Sequence, residues 1–466
     1  MSRHFPAEDA PAHLYWTAVY RDLGTAGNPW AAVYERNVRW NTPNLAYFTI
    51  QETLSEWLDP HAAQQVFLLL LLVCWAGSIG WLALATHGRL TLGSFAALLL
   101  FHNWALYTGF FSYLFGIPAL VTGVALLAGL LGEPSRRVNS RLLGLAGLAV
   151  VAYYAHLVTG VLLILAIVVA AALEWNRSRA RACQLLLTAV VPVVLGVSYV
   201  VNRPFGEGGP TWVVSSAVRR FVGFAFWRGF AAPGPSFWLT LVAFAALCAF
   251  LCARAVLAWR RGEMGPGARF VLIFAACLVA VYFVAPLRVG QGGFLNDRIH
   301  LALWVVVMPV LGAGIQGRSG RIAASVIALL LGWQVVTYSA RARRFGEQYA
   351  LLMRQATGIP RGSVIRYVQP YEASHFEGSF VGPFMDGGEI AYHCRCVLVE
   401  GSWKGAPFYW VTIKDPANTR VDYDVWLSGD PGAIVRPDSP VASGAGLTLQ
   451  FARAGRATAP AEPSAP

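Results

Sequence analysis

The chain has 466 residues, 56% of them apolar and only 13% charged, with a formal charge of +12. A soluble domain of this length does not carry that balance. The excess charge is almost wholly Arg, with Lys only at Lys404 and Lys414; the arginines sit in short turns between apolar runs with no basic face interleaved with aromatics, which argues against nucleic acid as a partner.

Residues 1–65 hold Trp16, Trp30, Trp40 and Trp57, the composition of a segment at the membrane–water interface. Helical spacing predicts a helix over Pro11–Leu23. A second is expected over Asn44–Leu58, opened by Pro43-Asn44 and ended by Asp59-Pro60. Just before the first helix stand Glu8, Asp9 and His13, two carboxylates and an imidazole able to activate a hydroxyl as general bases. The alternative is that Asp9 only caps the helix that follows it.

Then come apolar runs of bilayer-crossing length: Val66–Ala85, Leu142–Tyr154, Leu157–Leu173, Leu185–Val201, Phe237–Val256, Phe270–Pro286, Ile299–Gly314 and Ile322–Tyr338. The stretch Leu92–Leu131 is twice as long and breaks at Tyr107-Thr108-Gly109, so two helices are expected there. About ten spans result, given roughly 20 residues per crossing. Arg clusters at 89, 136–141, 177–181, 254–269 and 318–321 recur every two spans, which puts them on one cytoplasmic side. The intervening turns, and both termini, then lie outside, although Arg341, Arg343 and Arg344 follow the last span. An exported segment 1–65 without an export signal predicts a further apolar helix before Met1.

Several polar residues stand out along this series. Asn202–Ser236 carries Arg203, Arg219, Arg220 and Arg228 among aromatics, and Trp212–Trp227 has the spacing of an interfacial amphipathic helix. Its arginines either grip a lipid phosphate bidentately or snorkel to headgroups. Asp297 and Arg298, in Asn296-Asp297-Arg298-Ile299-His300 at the head of a span, read as a donor-phosphate site or as a solvated cap. His102 and Asn103 are expected to hydrogen-bond between helices, whereas His156, at an outer turn, is a pocket candidate.

From about Arg341 the composition becomes that of a soluble domain. A helix is expected over Phe345–Thr357, with strands over Gly362–Val368, Tyr423–Ser428 and Leu447–Ala452; Ile390–Val399 fits helix or strand. Asp422-Tyr423-Asp424 has the form of a nucleotide-sugar metal motif but is too short to carry one. Cys394 and Cys396, two apart, favour neither a disulfide nor a zinc site. The fold class expected is therefore mainly α, a polytopic membrane helix bundle with a small C-terminal extracytoplasmic α/β domain. Its parts are an outer segment 1–65, a bundle 66–339, a soluble part 340–453 and a solvated tail 454–466.

The order Asp9-Ala10-Pro11-Ala12-His13-Leu14, then Pro43-Asn44 leading an aromatic helix, then a multi-span bundle, resembles the GT-C class of integral-membrane glycosyltransferases. Gly109-Phe110-Phe111-Ser112-Tyr113-Leu114 and Ala155-His156-Leu157-Val158-Thr159-Gly160 add to the likeness, which is closer to poorly characterised bacterial relatives of the class. The resemblance implies a multi-pass protein of the bacterial inner membrane that takes a sugar from a polyprenyl-phosphate donor and passes it to a lipid, glycan or protein acceptor. Asp9 would be the catalytic acid of the first outer loop, with Glu8 its neighbour and His13 a supporting group. Arg298, Asp297, His156 and Arg220 would bind substrate. Metal dependence stays open: the acid acts as a base alone or holds a divalent Mg or Mn ion. In that class a span precedes the acidic loop and a second acidic motif follows; neither is visible here. A polysaccharide polymerase or ligase, leaning on the outer arginines and His156, is a second reading. A non-catalytic membrane partner or a transporter is a third, set against the lack of repeats and the few charges at mid-membrane depth.

Overall fold

The computed structural model describes residues 9–25, 27–36, 40–132, 138–202, 235–286, 294–315, 317–368, 388–399, 411–414, 420–428 and 448–453, plus positions 5, 7, 212–213, 220–221 and 288–289. The protein is mainly helical. In chain order the helices are α1 (Ala10–Asp22), α2 (Trp30–Val33), α3 (Ala46–Ser55), α4 (Pro60–His87), α5 (Leu92–Leu98), α6 (Trp104–Thr108), α7 (Phe111–Gly132) and α8 (Val138–Ala155). They continue as α9 (Leu157–Trp175), α10 (Arg179–Leu187), α11 (Val190–Val201), α12 (Pro235–Arg260), α13 (Pro266–Val284), α14 (Leu295–Val307), α15 (Gly317–Ala356) and α16 (Gly388–Cys394). Local chemistry sets their ends. For α4, the Asp59 carboxylate accepts from the N–H groups of His61 and Ala62, Pro60 fills the first helical position, and left-handed Gly88 ends the helix.

Seven helices among the described residues are long and apolar enough to cross a bilayer: α4, α7, α8, α9, α12, α13 and α15. The pair α10 and α11, bent by 43°, makes an eighth if it is one span. Two expected spans take another form. Residues 92–108 are split into α5, a 3-10 turn (Leu99–Phe101) and α6, and α14 has only 13 residues before a further 3-10 turn (Met308–Val310). The cause of the first break is local: the Asn103 side chain accepts from the Leu106 N–H and donates to Leu100 O and Phe101 O, starting a new helix. Irregular backbone is tolerated at membrane depth only where protein covers it, and Leu99, Leu100, Asn103 and Leu106 are all buried. Asn103 is thus a cap rather than a bridge between helices, while His102 stacks on Tyr338 at 4.5 Å and bonds the Tyr107 hydroxyl.

The last span and the expected helix over Phe345–Thr357 are one continuous 40-residue helix, α15, roughly 60 Å long at 1.5 Å per residue. Nothing between Tyr338 and Phe345 breaks it, and its far half buries Phe345, Tyr349 and Leu352. Against that half lies a sheet ordered β5 (Val397–Leu398), β4 (Val364–Val368), β7 (Tyr423–Ser428) and β8 (Thr448–Arg453). β4 runs parallel to β5 and β7, and β8 is antiparallel to β7. Ile390–Val399 resolves into both expected forms, helix α16 and then β5. Cys394 and Cys396 form a disulfide, contrary to the expectation from spacing: Arg395 takes φ +53°, which folds the chain so that the two Cα atoms are 5.2 Å apart, inside the ordinary disulfide range.

The N-terminal aromatics differ from expectation as well. Trp16, Trp30 and Tyr15 are core, not interface anchors. The Tyr15 hydroxyl donates to Cys396 O at 2.9 Å and accepts from Leu398 N–H at 3.0 Å; the Trp30 indole N–H also donates to Cys396 O. Trp40 and Trp57 are exposed. Strand β1 (Tyr34–Arg36) pairs antiparallel with β6 (Val411–Ile413), so residues near both ends of the chain form one packed unit. It rests on the bundle through a buried His61–Glu389 pair at 3.3 Å, joining the start of α4 to α16. The expected amphipathic helix Trp212–Trp227 lies mostly outside the described residues; Trp212–Val213 is a short strand (β2) paired with Arg288–Val289 (β3).

Candidate functional site

The site forms around one turn, Tyr107-Thr108-Gly109-Phe110, between α6 and α7. Gly109 has φ +91°, and a Cβ there would come within 2.8 Å of the Asp9 Cβ. Only glycine meets both conditions. The Asp9 backbone N–H donates to Thr108 O at 3.1 Å, and His13, one turn on, bonds Gly109 O through Nε2 at 3.1 Å. The start of α1 is therefore stitched to the mouth of the bundle.

Asp9 occupies the N-cap position of α1, but its side chain makes no capping hydrogen bond. The capping role weighed from the sequence is not what holds this carboxylate. Asp9 and Asp297 are the carboxylates whose charge reaches the Arg298 guanidinium. Arg298 lies over the Phe110 ring at 4.3 Å and reaches Tyr113 at 5.8 Å. Its carbonyl accepts from the Tyr113 hydroxyl, and its Nε is buried with no hydrogen-bond partner among the described residues. The fork is held by its stem and by ring faces, which leaves its planar donor geometry suited to an oxyanion. The backbone that presents it is anchored by Asn296, whose amide donates to Tyr282 O and Ala285 O at the end of α13.

His156 sits on the same side. Its Nδ1 accepts from the Val158 N–H at 3.2 Å, capping α9, and its ring meets Tyr113 edge-on at 5.3 Å. With Nδ1 an acceptor, the neutral ring carries its proton on Nε2 and offers a donor, not a base. His13 is neutral too: burial pushes its pKa down to about 4, against the Gly109 carbonyl, which opposes the shift. A carbonyl partner requires the proton on Nε2, and the other nitrogen, Nδ1, is buried without a partner among the described residues. Packed between Tyr47, Phe48 and Phe111, His13 positions the Gly109 turn and is not a general base.

Of the residues expected from the sequence, Asp9, His13, Asp297, Arg298 and His156 thus gather at this turn. Arg220 stands a layer away, its guanidinium donating to Phe283 O and its carbonyl accepting from the Tyr282 hydroxyl. There it serves the C-terminal end of α13, as a cation should. Glu8 lies outside the described residues. Asp422 accepts from the Val364 N–H at 2.8 Å, pinning a strand edge. Two contributors were not picked out as site residues. Tyr113 links Arg298 to His156. Asn44, with φ +67°, accepts from Leu157 N–H through its side chain and from the Ser112 hydroxyl through its carbonyl, tying the α8–α9 turn to α7. A lone Asn after Pro is the only sequence signal, and it reads equally as a helix start.

No group of three His, Cys, Asp or Glu side chains converges among the described residues. A protein-only metal cage is not built there; Asp9 is the kind of single carboxylate that holds Mg only jointly with substrate phosphates. The chain matches no protein-family model and no curated protein sequence.

Proposed function

We propose that the chain is a multi-pass membrane glycosyltransferase of the GT-C kind, moving a sugar from a polyprenyl-phosphate donor to a lipid, glycan or protein acceptor. One observation carries the reading: Asp9 stands where a helix cap belongs, makes no capping bond, and rests on the Gly109 turn, whose next residue, Phe110, lies under the Arg298 guanidinium. In the reaction, the Asp9 carboxylate takes the proton of the acceptor hydroxyl as its oxygen attacks the anomeric carbon. The bond from that carbon to the donor phosphate breaks, and the polyprenyl phosphate leaves with its charge held by the Arg298 fork. His156, donating from Nε2, orients a substrate oxygen.

The reading places the Asp9 face outside a bacterial inner membrane, with the C-terminal sheet and its helices as an extracytoplasmic α/β domain. The Arg alternation supports that side, and so does a disulfide, which persists in oxidising compartments. Ten passes follow if residues 92–108 and 295–310 cross as broken segments. The polymerase or ligase reading is weakened, because Arg220 already serves a helix end.

Asp9→Asn tests the proposal on purified protein with a polyprenyl-phosphate sugar. Transfer is expected to fall by at least about 100-fold with little change in thermal unfolding, since no cap bond is lost. Arg298→Lys keeps the charge but loses the fork, and should weaken donor use in particular. Near-normal transfer by Asp9→Asn would remove Asp9 from the mechanism and favour a non-catalytic role.

A further inference from the structure

At the end of the bundle away from Asp9, a cavity of about 340 Å³ opens between α4, α7 and the start of α13. Counting along α7 from Phe111 to Ala128, it lies roughly 25 Å from the Gly109 turn at 1.5 Å per residue, so it is no part of the proposed transfer site. Trp81, Leu84, Ala125 and Leu126 make its apolar wall, and Arg141 and Thr86 give it a polar edge. Its volume falls within the roughly 300–1,000 Å³ of small-molecule sites. Trp81 and Leu84 are 46% and 51% exposed, on the apolar surface of a helix long enough to cross a bilayer, the side from which acyl chains would reach the cavity.

Arg141 decides the ligand. Its Nη1 donates only a long bond to Gly129 O, 3.3 Å, and no carboxylate pairs with it among the described residues. The acids described at this end are taken: Glu174 pairs with Arg177 and Glu263 with Arg261. Arg181 adds positive charge beside this end of α7, donating to Leu130 O. Gly267 keeps α13 against α7, since a Cβ there would lie 2.8 Å from Ala128 O. A cation at the mouth of an apolar slot between spans matches an amphiphile with an anionic head.

We propose that this cavity binds a phospholipid with an anionic headgroup from the leaflet opposite the Asp9 site, its acyl chain along Trp81 and Leu126 and its phosphate on Arg141. Native mass spectrometry of the full chain, exchanged into micelles with phosphatidylglycerol or phosphatidylcholine, tests it. The wild type should retain phosphatidylglycerol in preference, and Arg141→Gln should lower that retention by about fivefold, the worth of one arginine near a lipid surface. Ala85→Phe, filling the slot from its half-buried side, should abolish retention of either lipid at this site. Arg89→Gln, a basic residue outside the lining, should leave the preference intact. A wild type without preference overturns the proposal even if a variant fails to fold. So does an Arg141→Gln protein that keeps the preference, or an equal loss in Arg89→Gln.

Discussion

Gly109→Ala is the sharpest perturbation of the site, because its cost has two separable origins. The added Cβ must take φ +91°, a left-handed strain of about 1–2 kcal/mol. It must also sit 2.8 Å from the Asp9 Cβ, an overlap costing about 1–3 kcal/mol to relieve. The total expected is about 2–5 kcal/mol. Gly88→Ala supplies the reference, since Gly88 has φ +67° and nothing within 4 Å of an added Cβ; it should show the strain alone. Asp9→Gly in the Gly109→Ala background removes the nearest colliding atom, leaving the backbone N and Cα of residue 9 at 3.1 and 3.2 Å. Unfolding in detergent, followed for the two single variants and the double, should give a coupling of about 1–3 kcal/mol between positions 9 and 109. Additive effects, within about 0.5 kcal/mol, would mean that Asp9 does not rest on this turn, and would refute the site as described.

Burial holds His13 neutral, with its pKa lowered to about 4 from 6.5. Its contribution to stability is therefore complete above about pH 6.5 and is lost as pH falls towards 4, by about 3 kcal/mol in all; a pH series of unfolding for His13→Phe should lack that slope between 6.5 and 4. Tyr15→Phe strips the hydroxyl that serves both Cys396 O and Leu398 N–H, and should cost about 1–3 kcal/mol, read as earlier protease cleavage near β5. Gly93→Ala should destabilise, although Gly to Ala inside a helix ordinarily stabilises by about 1 kcal/mol, because a Cβ at Gly93 has no room beside Met308 O and Leu311 O. Gly77→Ala and Gly147→Ala, with open space around the new methyl, should keep the ordinary sign; the same sign at all three positions would sink the packing argument.

Long single spans such as α4 and α9 were legible because lipid imposes one rule: about 20 apolar residues whose amides bond within their own helix. That rule lapses where protein replaces lipid around the chain, so the split at Asn103 and the 13-residue α14 could not be read from apolarity alone. The four N-terminal tryptophans show a related limit. Composition tells that Trp30 and Trp40 are amphipathic, but only Cys396, just before β5 and more than 350 residues along, separates the buried one from the exposed one. At the site, His156 and Arg298 stood out through their placement at span ends, and Asp9 and His13 as a carboxylate and imidazole close together before the first helix. Their meeting rests on backbone features with weak signatures, the left-handed Gly109 and Asn44. The capping alternative for Asp9 was equally legible, and it fell only on the geometry of the N-cap.

The two segments that fail as continuous membrane helices both end at the site, one leading into the Gly109 turn and the other presenting Arg298. At one end they are locked together: the Thr91 hydroxyl donates to Pro309 O at 2.8 Å, and Gly93 lies flush on the backbone of Met308 and Leu311. At the other end Trp104 meets Phe294 at 5.4 Å, and Phe110 lies under Arg298. The pair forms an antiparallel column through the bundle core, with α4, α7, α9 and α13 around it. Continuous spans satisfy their own backbones and leave no polar group to spare, whereas a broken segment presents helix ends and turns that protein must cover. Here the covering is done by Asp9 and His13 on the Gly109 turn and by Tyr113 on the Arg298 carbonyl. The same hydrogen bonds that make the breaks tolerable thus fix the carboxylate and the guanidinium on one side of the bundle, and the tightness at Gly93 holds the far end of the column in register with that arrangement.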